Sequence, residues 1–141
     1  MTKISALTVA LALAAAGFAT TPASATEVSL SAHLMGSAAI DPDGMGHATL
    51  KIDVAKSQVC YTLMVEGIAP ATMAHIHKAA AGASGPVAVP LTSPDPSGKS
   101  AGCATADATV ITDILANPGG YYVNVHNAEF RGGAIRGQLS K

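Results

Sequence analysis

A chain of 141 residues has room for one domain. Its 8 basic and 9 acidic residues are dispersed, which excludes a nucleic-acid binder that neutralises phosphate with clustered Lys and Arg. With 2 Phe, 3 Tyr and no Trp, the core must come from Val, Ile, Leu and Ala, and so thin a core gains from a covalent staple.

The first stretch reads as an export signal. Lys3 gives a short positive start, Ile4 to Ala19 carry no charge, and Ala23-Ser24-Ala25 offers small residues where signal peptidase reads them. The apolar run is shorter than the ~20 residues a spanning helix needs. Residues 1–25 are thus expected to be a signal peptide cut after Ala25, and 26–141 the domain. Neither cysteine lies near the cut, so a lipid anchor is not expected. The remaining chain is predicted to be exported, periplasmic or secreted, with no membrane anchor.

Past the signal, strand patterns dominate. Val28, Leu30, Ala32 and Leu34 alternate with polar residues, as do Ala48, Leu50, Ile52 and Val54, and then Val59, Tyr61, Leu63 and Val65. These three runs predict an antiparallel meander with one buried face. Further strands are expected at about Met73 to Lys78, Pro86 to Leu91 and Ser100 to Ala106. Val110, Ile111, Ile114 and Leu115 fall at helical spacing, with Asp107 or Thr109 able to cap the start and Asn117-Pro118-Gly119 ending the helix. Two last strands follow, Tyr121 to His126 and Ala134 to Leu139. The fold class predicted is all-β, a Greek-key β-sandwich or barrel of about eight antiparallel strands with one short helix.

Cys60 and Cys103 both lie in the exported portion, where a pair reads as a disulfide; their spacing is far from that of a C-x-x-C redox or metal pair. Closing a loop of about 43 residues stabilises a fold by up to ~4 kcal/mol on the chain-entropy model.

Side chains on a strand alternate between faces, so His75 and His77 project together and Ile76 projects oppositely. With Ile76 in the core, both imidazoles lie on the outer face about 7 Å apart at their Cα atoms. Val123 and Val125 share the inner face of a later strand, which turns Tyr122, Asn124 and His126 outward. Ile135 and Leu139 inward turn Arg136 and Gln138 outward. Neutral imidazole suits copper and zinc, so His75, His77 and His126 are the candidate metal ligands. Met73 shares their parity and its thioether favours Cu(I), although Met is also a routine gap-filler in cores. Asn124 and Glu129 are candidates to orient His126 by hydrogen bonds. His33 or His47 is available as a fourth ligand, but each reads more simply as an exposed strand residue. Asp41, Asp43 and Gly44 hint at a calcium loop, and a Pro-Asp-Gly turn explains them more simply. Gly132-Gly133 suits a tight turn. No nucleophile elbow, phosphate loop or H-E-x-x-H appears.

Four blocks, Ala74-His75-Ile76-His77, Gly85-Pro86-Val87-Ala88-Val89, Tyr122-Val123-Asn124-Val125-His126-Asn127 and Gly133-Ala134-Ile135-Arg136-Gly137-Gln138-Leu139, stand in the order found in the chordin-type (CHRD) family, which the chain resembles over essentially its whole exported length. The resemblance implies a small exported β domain and no settled activity. Departures from the family pattern fall at Gly36 to Pro42, at Lys78, where Gly commonly follows the H-I-H, and at Arg131, where Pro often precedes the last strand. A looser likeness, at the level of fold, is to copper/zinc superoxide dismutases. They carry an H-x-H, a later V-H, a late arginine and a disulfide, at positions answering to His75, His77, His126, Arg136 and Cys60–Cys103; their bridging histidine and zinc loop have no counterpart between Lys78 and Gly120.

The sequence thus favours an exported domain binding copper or zinc through His75, His77 and His126, with metal handling preferred over turnover. Any redox activity would be of superoxide dismutase type beside Arg136. The alternative is a metal-free structural or protein-interaction module, its protein partner unspecified.

Overall fold

The computed structural model describes residues 27–37 and 39–141; the expected signal and its cleavage site lie outside them. Eight strands run in chain order as β1 (Glu27–Met35), β2 (Met45–Asp53), β3 (Gln58–Glu66), β4 (Ala71–Lys78), β5 (Val87–Leu91), β6 (Lys99–Thr105), β7 (Tyr121–Asn127) and β8 (Ile135–Gln138). One helix, α1 (Ala108–Ala116), and a 3-10 turn, Pro118–Gly120, separate β6 from β7.

The strands form a single antiparallel sheet in the order β5-β4-β7-β8-β1-β2-β3-β6. Of the two architectures predicted, the barrel is the one realised. The sheet curls until β5 and β6, its two edges, approach one another. Ser100 Oγ donates to the Thr92 carbonyl at 2.8 Å, and Thr92 N–H donates to Tyr61 Oη at 2.8 Å, so the near-closure is held by side chains just past β5. A barrel hides edges that an open sheet would expose.

The alternation in each strand determines the interior. Leu30, Leu50 and Tyr61 are in register across the β1–β2–β3 meander and all are buried, as are Ala74, Ile76, Val89, Val123, Val125 and Ile135 from the other half of the sheet. α1 adds Ile111 and Ile114, both fully buried at i and i+3. Asp107 occupies the N-cap position, but its side chain makes no capping hydrogen bond, and Thr109 lies inside the helix. The predicted cap is therefore one of position only. A different residue fastens the helix: Asp113 accepts from Lys78 Nζ at 2.6 Å and from Tyr121 Oη at 2.5 Å. The Lys78 ammonium, followed by the Tyr121 hydroxyl, holds the Asp113 carboxyl below the usual carboxylate range. Lys78 thus ties β4 to α1.

Cys60 and Cys103 are direct partners across β3–β6 and form the disulfide expected from the sequence. The bond lies on the outer face, where Cys103 is exposed, and fastens an edge strand half of whose residues face solvent. Replacing both cysteines by alanine is expected to lower the unfolding free energy by up to ~4 kcal/mol. Urea denaturation of the oxidised, reduced and substituted proteins measures this; coincident midpoints would mean that the ladder alone holds β6.

Candidate metal centre

β4 and β7 pair with Met73 opposite His126, His75 opposite Asn124 and His77 opposite Tyr122. Ala74 and Ile76 of β4, and Val123 and Val125 of β7, fill the core, so the intervening residues emerge together on the other face. His126 is then the diagonal neighbour of His75, within reach of a ring. The ring centroids stand 5.4 Å apart for His75–His77, 5.1 Å for His75–His126 and 6.0 Å for His77–His126. One nitrogen from each ring lies within 4.8 Å of the others. The parity predicted from sequence brings the three rings together.

Two backbone carbonyls decide which nitrogens are available. His77 Nδ1 is 2.9 Å from the Gly85 carbonyl, and His126 Nδ1 is 2.8 Å from the Arg131 carbonyl. A carbonyl only accepts, so each Nδ1 carries the proton and each Nε2 presents a lone pair. The Nε2 of His126 faces His75 Nδ1 at 3.1 Å. The Nε2 of His77 is buried and has no hydrogen-bond partner.

The site differs from expectation in its surroundings. An exterior cluster was expected, yet every residue of β7 is buried and His126 is only 6% exposed. The cause is the connection from β7 to β8, which folds back over the outer face. Phe130 N–H donates to Asn127 Oδ1 at 2.7 Å, Gly133 N–H to the Phe130 carbonyl at 3.0 Å, and Asn124 Nδ2 to the Gly132 carbonyl at 3.2 Å. Gly133 has φ 124°, and a Cβ there would run into the Asn124 amide, so this turn requires glycine. His75, half-buried, forms the open rim. Burial, followed by the neighbouring His126 and His77, pushes its pKa below the ordinary 6.5.

The flanking candidates divide. Met73 stands directly across from His126 on the same face and is 45% exposed, so it is no core filler. Asn124 bonds to the turn and not to His126, and Glu129 is exposed with no hydrogen bond to that ring; the Arg131 carbonyl has the orienting role proposed for them. Arg136 lies with its guanidinium 4.8 Å from the Tyr122 ring centre. Because β7 runs between β4 and β8, Tyr122 separates Arg136 from His77, which stacks on the same ring at 5.0 Å and 8°. His33 and His47 face each other across β1–β2, away from the triad, and supply it no fourth ligand. Asp41 and Asp43 belong to a turn in which Gly44 N–H donates to the Asp41 carbonyl at 3.2 Å. Among the described residues the triad is the only group of three or more His, Cys, Asp or Glu side chains close enough to share an ion.

Sequence reasoning placed Tyr122 on the correct face but gave it no role. It stacks on His77, and its hydroxyl accepts the Gly85 N–H at 3.3 Å, which helps set the carbonyl that His77 uses. Gly85 itself passes so close to the Lys78 carbonyl that no Cβ fits. Gly85 and Arg131 act through main-chain oxygen, which leaves no side-chain signature to read.

Residues 30–139 match the family model of the CHRD domain, and the chain belongs to that family. No curated protein and no solved structure gives a match. A CHRD domain carrying a disulfide suits an extracellular module.

The depressed pKa of His75 sets a pH dependence. The unfolded chain binds this proton near pH 6.5 and the folded chain only at lower pH, so the metal-free fold loses stability as pH falls from 6.5 toward the folded value. Denaturation midpoints measured across this range are expected to drop in the parent protein and to drop less in His75→Gln.

Proposed function

We propose that this CHRD-family chain is an exported metal-handling domain that binds one copper or zinc ion through His75, His77 and His126. The observation that carries this reading is the buried, unpartnered Nε2 of His77 beside the Nε2 of His126, both made lone-pair donors by main-chain carbonyls. A buried polar atom left without a partner costs about 1–3 kcal/mol, and coordination to a cation removes that cost. Metal–nitrogen bonds of about 2.0–2.1 Å place two ligands of a tetrahedral ion roughly 3.3 Å apart. The 3.1 Å between His75 and His126 is close to that spacing. Hydrogen bonds that fix the far nitrogen of a ligating histidine are the usual means of setting its tautomer and raising its basicity.

Several features favour binding over turnover. Tyr122 stands between Arg136 and His77, so the guanidinium is not free to guide a small anion to the ion. No carboxylate joins the three rings as a proton acceptor. His75 at the rim gives an entry path, while His126 is almost fully covered. Export follows from the signal-like residues 1–25 with cleavage after Ala25, and the disulfide suits the periplasm or the cell exterior.

A metal-free interaction module is the second reading, favoured by the His75–His126 contact, which as a hydrogen bond needs no ion. Calorimetric titration of the purified protein with Cu(II) and Zn(II) separates the two. One equivalent should bind, and His75→Ala or His126→Ala should weaken it by more than the roughly 10–100-fold that loss of a supporting partner costs. Equal binding by both variants would leave the module reading in place.

A further inference from the structure

The outer face of the β1–β2–β3 meander holds a second set of ligand-type side chains, none of which takes part in the triad. His33 pairs with His47 across β1–β2, and His47 pairs with Met64 across β2–β3, making one row of three. Two residues along, Met35 pairs with Met45, and Met45 with Glu66, making a second row on the same face. The two imidazoles meet edge to face with centroids 4.9 Å apart. His33, His47 and the three methionines line one open groove of about 820 Å³.

The methionines are placed against their usual chemistry. The chain holds 5 Met, and all four of those described are exposed: Met35 by 66%, Met45 by 48%, Met64 by 57% and Met73 by 45%. None is in the core, where an unbranched thioether normally fills gaps. Each has a histidine as a direct cross-strand partner or lies two residues from one on the same face. Repeated placement of thioether beside imidazole, in water and in register, has no packing rationale; it is the donor set that soft d10 cations select.

The geometry points to a second, independent metal site on this face, formed by His33, His47 and Met64 with Met35 or Met45 completing it, and selective for a monovalent soft ion such as Cu(I). Its donors are all uncharged when ligating. The rows end on Lys99, opposite Met64, on Arg136, opposite Met35, and on Glu66, opposite Met45, so the patch has no excess of carboxylate to attract a hard divalent ion. Ladder spacing puts its centre roughly 17 Å around the sheet from the triad, too far to share an ion. Exposure makes it a site for capture and exchange, in contrast to the covered triad. This site stands whether or not the triad binds metal.

Anaerobic titration with Cu(I) against a competing chelator, and with redox-inert Ag(I), tests this in His126→Ala, which removes the triad. One equivalent should still bind, with the methyl resonances of Met64 and of Met35 or Met45 shifting. His33→Ala/His47→Ala should abolish that binding, and Met64→Leu should weaken it by about tenfold or more while leaving Zn(II) binding at the triad of the parent unchanged. If His126→Ala folds poorly, the methyl shifts are read in the parent protein. Binding to His126→Ala that His33→Ala/His47→Ala does not alter, or silent methyl groups at one equivalent of Ag(I), would overturn the proposal.

Discussion

β7 is buried along its whole length, from Tyr121 to Asn127, on both of its faces. A barrel strand has its inner face covered by the core as a matter of course; its outer face is covered only if something else lies on it. Here the covering is the connection to β8, pinned by Asn127 and Asn124 to main-chain groups of residues 130 and 132. Remove that cover and Val123 and Val125 remain in the core, but His126 loses its carbonyl partner. The orientation of the His126 ring depends on this covering.

The cover also concentrates unmet polarity. The three buried side-chain atoms without hydrogen-bond partners among the described residues are His77 Nε2, Asn124 Oδ1 and Asn127 Nδ2, all on the β4–β7 pair. Elsewhere the barrel is built conservatively, with aliphatic side chains inward, polar side chains outward, and a helix contributing two isoleucines. Unpaired polar atoms cost stability, and a fold with a thin core has little to spare. That the cost falls at one place, beside three imidazoles, separates this region from the rest of the molecule.

Much of this was legible from residue order. Alternation in Val28 to Val65 yields the meander, and the same two-residue period assigns His75, His77 and His126 to one side of the sheet. The cysteine pair is also read correctly, because β3 and β6 lie side by side. What alternation does not encode is closure: whether two half-buried sheets face each other or one sheet curls depends on the β7–β8 and β1–β8 pairings, and the second rests on a short register at Met35 and Arg136. Nor does it encode what lies above a face, so His126 reads as exterior when it is covered. Asp107 has the composition of a cap and the position of one, yet Asp113, an unremarked surface residue in the sequence, fastens the helix through partners 35 and 8 residues away. Parity singles out Met73 alone among the methionines, and only the pairing of β1, β2 and β3 reveals that Met35, Met45 and Met64 share a face with two histidines.

The hold on His126 comes from the oxygen of residue 131, whose side chain is exposed. A proline at this position would lack an amide hydrogen but keep the same oxygen. Exchange between the two therefore alters charge and chain stiffness while the imidazole keeps its proton on the same nitrogen. A ring anchored in this way tolerates a change of side chain at its anchor so long as the path of the main chain is kept, so its orientation rests on shape more than on spelling.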